Sequence, residues 1–69
     1  MRVIFRGPAV ETFSRSPEDV IADAEELCPR EAWAGRKQLG IITYATGHHV
    51  SIDITDAGNL SIYVGADWR

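Results

Sequence analysis

Residues 47–65, GHHVSIDITDAGNLSIYVG, decide the fold. Val50, Ile52 and Ile54 alternate with His49, Ser51, Asp53 and Thr55, and after Asp56-Ala57-Gly58-Asn59 the beat resumes with Leu60, Ile62 and Val64 against Ser61 and Tyr63. Successive side chains of a strand point to opposite faces, so this period of two predicts an antiparallel β-hairpin with one face buried and the other wet. Asp, Gly and Asn between the two runs are turn formers.

Working outward, residues 41–46, rich in β-branched and aromatic side chains, predict a strand that Gly47 turns into the hairpin. Further upstream, Ser16 is a good helix N-cap, Pro17 suits the first helical position, and Glu18 and Asp19 sit where the exposed amides favour negative charge. Val20, Ile21, Ala24, Leu27 and Cys28 then share one side at helical spacing, opposite Glu18, Asp19, Asp23, Glu25 and Glu26, and Pro29 ends the helix. Cys28 reads as a small buried hydrophobe. Residues 31–34 suggest one more helical turn, with Trp33 plugging the core, and Arg36-Lys37-Gln38 reads as a solvated connection. Residues 2–6 predict a first strand, Gly7-Pro8 a turn, and residues 9–13 a second short strand returning beside it. The expected architecture is a single α+β domain over residues 1–69, one amphipathic helix on a small antiparallel sheet of three to five strands.

A chain of 69 residues buries only about 60% of the surface its unfolded form exposes, so its core is marginal. Small domains commonly add a staple, but a single cysteine cannot close a disulfide, and two adjacent histidines with one cysteine make a poor zinc set. No cofactor is expected. Docking on another protein, or on a second copy, is what remains to steady such a domain. The net charge of −3 argues against broad binding to nucleic acid, which needs clustered Lys and Arg, whereas here only Arg36 and Lys37 are neighbours. The first residues are interrupted by arginine and no apolar run approaches spanning length, so a cytoplasmic chain without membrane contact is the expectation.

Catalytic patterns are thin. His48 and His49 are adjacent, so on a strand they point to opposite faces, and Ser51 and Asp53 follow His49 on one extended face, which is no triad geometry. Gly47-His48-His49-Val50 ahead of a hairpin is similar to the Gly-Ser-His-His run of HicA-type toxins, small ribonucleases. That resemblance implies a catalytic role for His48 or His49, and the acidic balance of the chain weighs against it.

A second resemblance spans more of the sequence. Val3-Ile4-Phe5-Arg6-Gly7-Pro8, the helix start Ser16-Pro17-Glu18-Asp19-Val20, and the later runs 49–54 and 58–63 resemble the amino-terminal half of immunity proteins against polymorphic toxins. The resemblance implies a non-enzymatic inhibitor that covers an enzyme's active site, a task shared by small phage inhibitors such as anti-CRISPR proteins. Two features read from the residues fit such a role. The helix segment 16–29 carries five acidic residues and no basic one, and Glu18, Asp19, Asp23 and Glu26 are candidate contacts for a nuclease or another basic-surfaced protein. Tyr44, Tyr63 and Trp68 are candidate aromatic anchors, with Tyr63 facing outward if Ile62 and Val64 face the core, and Trp68 either anchoring a partner or folding back on the core. Strand 41–46 also offers an edge through which two copies could pair as a homodimer.

Overall fold

The computed structural model describes residues 1–66. Four strands, β1 (Val3–Arg6), β2 (Gln38–Thr43), β3 (His48–Ile54) and β4 (Leu60–Ala66), form one sheet in the order β1-β4-β3-β2, and the helix α1 (Pro17–Leu27) packs on one side of it. This is the expected α+β arrangement. The hairpins β2-β3 and β3-β4 are antiparallel, while β1 runs parallel to β4, with Val3 opposite Leu60 and Phe5 opposite Ile62. The sheet is thus mixed. A parallel neighbour needs a long crossover, and here α1 together with the two hairpins supplies it.

The alternation of residues 47–65 is realised as expected. Val50, Ile52, Leu60, Ile62 and Val64 are fully buried beneath α1, which contributes Val20 and Ala24, with Cys28 just past its end. Trp33 closes this core from the connection after α1, and its indole Nε1 donates to the Cys28 carbonyl at 2.7 Å. The start of α1 follows its local chemistry. The Asp19 amide donates to Ser16 Oγ at 3.2 Å, the Ser16 amide returns a bond to Asp19 Oδ2, and Pro17 occupies the first turn. Leu27 stays 42% exposed because it lies over the edge of the sheet rather than its centre.

Three expectations are corrected. Residues 9–13 form no strand. Val10–Thr12 is a short 3-10 turn, which sets Ala9, Val10 and Phe13 against the core, while the Ala9 amide still reaches the Val64 carbonyl at 3.2 Å. Gly7 makes this departure from the sheet feasible, because at its φ of 114° a Cβ would stand 2.4 Å from the Val64 carbonyl oxygen. The helical turn after Pro29 is likewise 3-10, Arg30–Ala32. Finally, β2 begins at Gln38 and ends at Thr43, three residues earlier than expected, so Gln38 belongs to the strand rather than to a connection. At its start, a register shift between Gln38 and Gly40 turns Leu39 into the core, where it is 5% exposed. Gly40 there has φ 148° and lies directly beneath Leu27, so a side chain would collide with that leucine. At its end, the Gly47 amide donates to the Tyr44 carbonyl and the Tyr44 amide to the His48 carbonyl, which takes residues 44–47 into a tight turn.

Candidate functional site

The two histidines part company at the start of β3. His48 is 4% exposed. Its Nε2 lies 3.0 Å from Thr12 Oγ1, its Nδ1 lies 2.6 Å from Thr46 Oγ1, and its ring stands edge-on to Phe13 with centroids 5.3 Å apart. The Thr12 hydroxyl donates to the Ala9 carbonyl at 3.1 Å, so toward His48 it accepts from Nε2, which leaves the Thr46 hydroxyl to donate to Nδ1. His49 faces the other side of the sheet, with Nδ1 3.3 Å from Thr43 Oγ1. Ser51 and Asp53 share that side with it, and among the described residues no hydrogen bond links the three. Ser51 instead accepts from Gln38 Nε2 at 3.3 Å. Among the described residues no three His, Cys, Asp or Glu side chains converge as metal ligands. Among the described residues no helix is long and apolar enough to cross a membrane.

His48 floors a cleft of about 260 Å³ walled by Phe13, Arg15, Tyr44 and Thr46. Arg15 and Tyr44 converge on one carboxylate there. Asp23 Oδ2 accepts from the Tyr44 hydroxyl at 2.6 Å and lies 2.8 Å from Arg15 Nε, while Oδ1 accepts from Arg15 Nη2 at 3.1 Å. The guanidinium also stands over the Tyr44 ring, 5.4 Å from its centroid. Burial, and then the hydrogen bond to the Asp23 carboxylate, push the Tyr44 hydroxyl well above the ordinary tyrosine range, so it remains a donor. This cluster ties the loop before α1, the helix and the end of β2 together. Nothing in the sequence reveals it, because Arg15 lies outside the helix and its partner Tyr44 is 29 residues away along the chain.

The candidate contacts therefore lie in different settings. Asp19 is spent on the helix cap, and Asp23 on Arg15 and Tyr44. Glu18 and Glu26 stay exposed on α1, and Tyr44 is half-buried against the core rather than a free anchor. Tyr63 faces the opposite side of the sheet, away from α1, and is 43% exposed. Trp68 lies outside the described residues.

The side of the sheet that α1 leaves uncovered is the candidate site. One row across it runs Arg6, Tyr63, Ser51, Ile41, and the next runs Ile4, Ser61, Asp53, Gln38. Arg6 stacks over the Tyr63 ring at 5.6 Å and donates from Nε to Ser61 Oγ at 3.2 Å, which holds the aromatic ring in place. Ile41 is 63% and Ile4 47% exposed on the same face. Sequence reasoning picked out Tyr63 but missed Ile4 and Ile41, since an apolar residue in a short strand reads as core until the register says which way it points. The register of β2 is set by its pairing with β3, where Ile41 stands opposite Ser51.

No family model, curated protein or solved structure matches this chain.

Proposed function

We propose that this chain is a small non-enzymatic protein that binds another protein and inhibits or modulates it, in the manner of immunity proteins and phage anti-defence proteins. One observation carries the reading: the sheet is covered on a single face, and its other face holds Ile4, Ile41 and Tyr63 well exposed among small polar residues. A rigid sheet presenting an arginine-braced tyrosine and two aliphatic side chains loses little side-chain entropy on docking, and tyrosine and arginine are favoured at the centres of interfaces. The lack of a disulfide agrees with a domain that gains stability from association. The rival ribonuclease reading rests on His48 or His49, and those two residues open on different sides of the sheet, so each would have to act alone.

The test is capture from lysate of the native host on immobilised wild-type chain and on a Tyr63→Ala, Ile41→Ala double variant, followed by assay of the captured protein's activity. The wild type is expected to hold a partner and to depress its activity in proportion to occupancy. The double variant should bind roughly thirtyfold more weakly, the loss of one central anchor. Equal capture by both chains, or substrate turnover by the purified chain alone, would overturn the reading.

A further inference from the structure

We infer that the outer edge of β2 receives an extended, cationic segment of the partner protein as a fifth strand; this rests on the protein-binding reading above and names what the partner must bring. The backbone is the first argument. The Tyr44 amide donates to the His48 carbonyl, so by the alternation of an antiparallel ladder Ile42 and Gly40 bond to β3 while the amides and carbonyls of Ile41 and Thr43 point outward. Among the described residues these outward groups have no backbone partner. Residues 38–43 contain neither proline nor a charged side chain to guard the edge, and the bulge between Gln38 and Gly40 lies before the regular stretch Ile41–Thr43.

The flanks of that edge decide the occupant. On one side stands Ile41 with Thr43 and His49, on the other a shallow groove of about 290 Å³ lined by Asp23, Glu26, Leu27, Ile42 and Tyr44. The acidic flank of α1 thus lies along one side of this edge. Side chains of an added strand alternate between those two flanks. Those turned toward α1 would meet exposed Leu27 and Glu26, the latter in no ion pair among the described residues, and those turned the other way would meet Ile41. A strand with basic residues in one phase and aliphatic residues in the other complements both. A second copy does not, because pairing β2 with β2 would set the acidic α1 of one chain beside the same helix of its mate, each chain carrying −3.

The experiment uses the full chain, isotopically labelled for NMR, and two capped hexapeptides: alternating lysine and valine, and its counterpart with glutamate for lysine. The cationic peptide should give saturable shifts centred on the Ile41 and Thr43 amides and slow their hydrogen exchange about tenfold, with the anionic peptide binding at least about tenfold more weakly. Ile41→Pro removes only an outward amide, so it should abolish binding and leave the β2–β3 ladder in place. Should that variant fail to fold, Ile41→Lys sets a like charge in the path of the cationic peptide and should weaken it by a similar factor, and Glu26→Lys should weaken it about fivefold. The inference is overturned by equal binding of both peptides, by shifts confined to Ile4, Ser51 and Tyr63, by no saturable shift at millimolar peptide, or by Ile41 and Thr43 becoming protected with protein concentration alone, the signature of a second copy. Any of these results beside an intact effect of the double variant on partner capture defeats only the edge, whereas loss of that effect defeats the broader reading.

Discussion

The two faces of strands β3 and β4 are made by the same backbone and differ in everything else. Toward α1 stand Val50, Ile52, Leu60, Ile62 and Val64, all without solvent exposure; away from it stand His49, Ser51, Asp53, Ser61 and Tyr63. Burial on one face fixes the register, and a register so fixed leaves the other face free to carry whatever a partner needs. The sharpest way to break this division is a pair of isoleucines on neighbouring strands. Ile52→Ala opens a void under α1 and should cost about 2–5 kcal/mol, enough to unfold much of a domain with so small a core. Ile41→Ala, on the exposed side, should leave stability within about 0.5 kcal/mol and act on binding alone. Urea denaturation of both variants beside the wild type checks the contrast; equal losses would mean that the uncovered face is part of the core.

Adjacent His48 and His49 repeat the comparison within two residues. Replacing His48 by alanine removes the ring packed on Phe13 and the bonds to Thr12 and Thr46, with an expected loss of about 1–3 kcal/mol. Replacing His49 by alanine removes one surface contact to Thr43 and should change the thermal midpoint little. A His48 variant as stable as the His49 variant would show that the buried ring is not structural, and would reopen the cleft beside it to a chemical role.

How far the molecule was legible in its sequence follows from the range of the interactions involved. The hairpin of β3 and β4, the capped start of α1 and its stop at Pro29 depend on neighbours within four residues or on strict periodicity, and all are readable. The partner of β1 is not. Residues 9–13 follow a Gly-Pro turn and so suggest a return strand, yet Ala9, Val10 and Phe13 fit one turn of helix against the core, and β4, not this segment, lies beside β1. The same limit hid the Arg15, Asp23 and Tyr44 cluster and the outward aim of Ile41, which depends on its pairing with Ser51 on β3. Acidic residues on α1 were visible as a set, but which of them are engaged was not. Asp23 is held by two partners, whereas Glu26 points to the groove beside β2.

The smallest expected effect concerns the covered side at its margin, where Tyr44 donates to Asp23. Tyr44→Phe removes one hydrogen bond to a carboxylate that Arg15 still neutralises, so at neutral pH the loss should be about 1 kcal/mol. The informative readout is alkaline. In the folded chain burial and Asp23 raise the pKa of Tyr44 above its unfolded value near 10, so above that pH the unfolded chain releases a proton that the folded chain retains. The contribution is therefore complete below about pH 10 and declines as pH rises through the folded-state value. Wild-type stability should fall faster than that of Tyr44→Phe from pH 10 upward, and the gap between them should narrow. Parallel stability curves across that range would mean that the hydroxyl is solvated and that Arg15 alone holds Asp23. The margin of the β2 groove would then be looser than the cluster's geometry implies, and the groove less well formed to receive a strand.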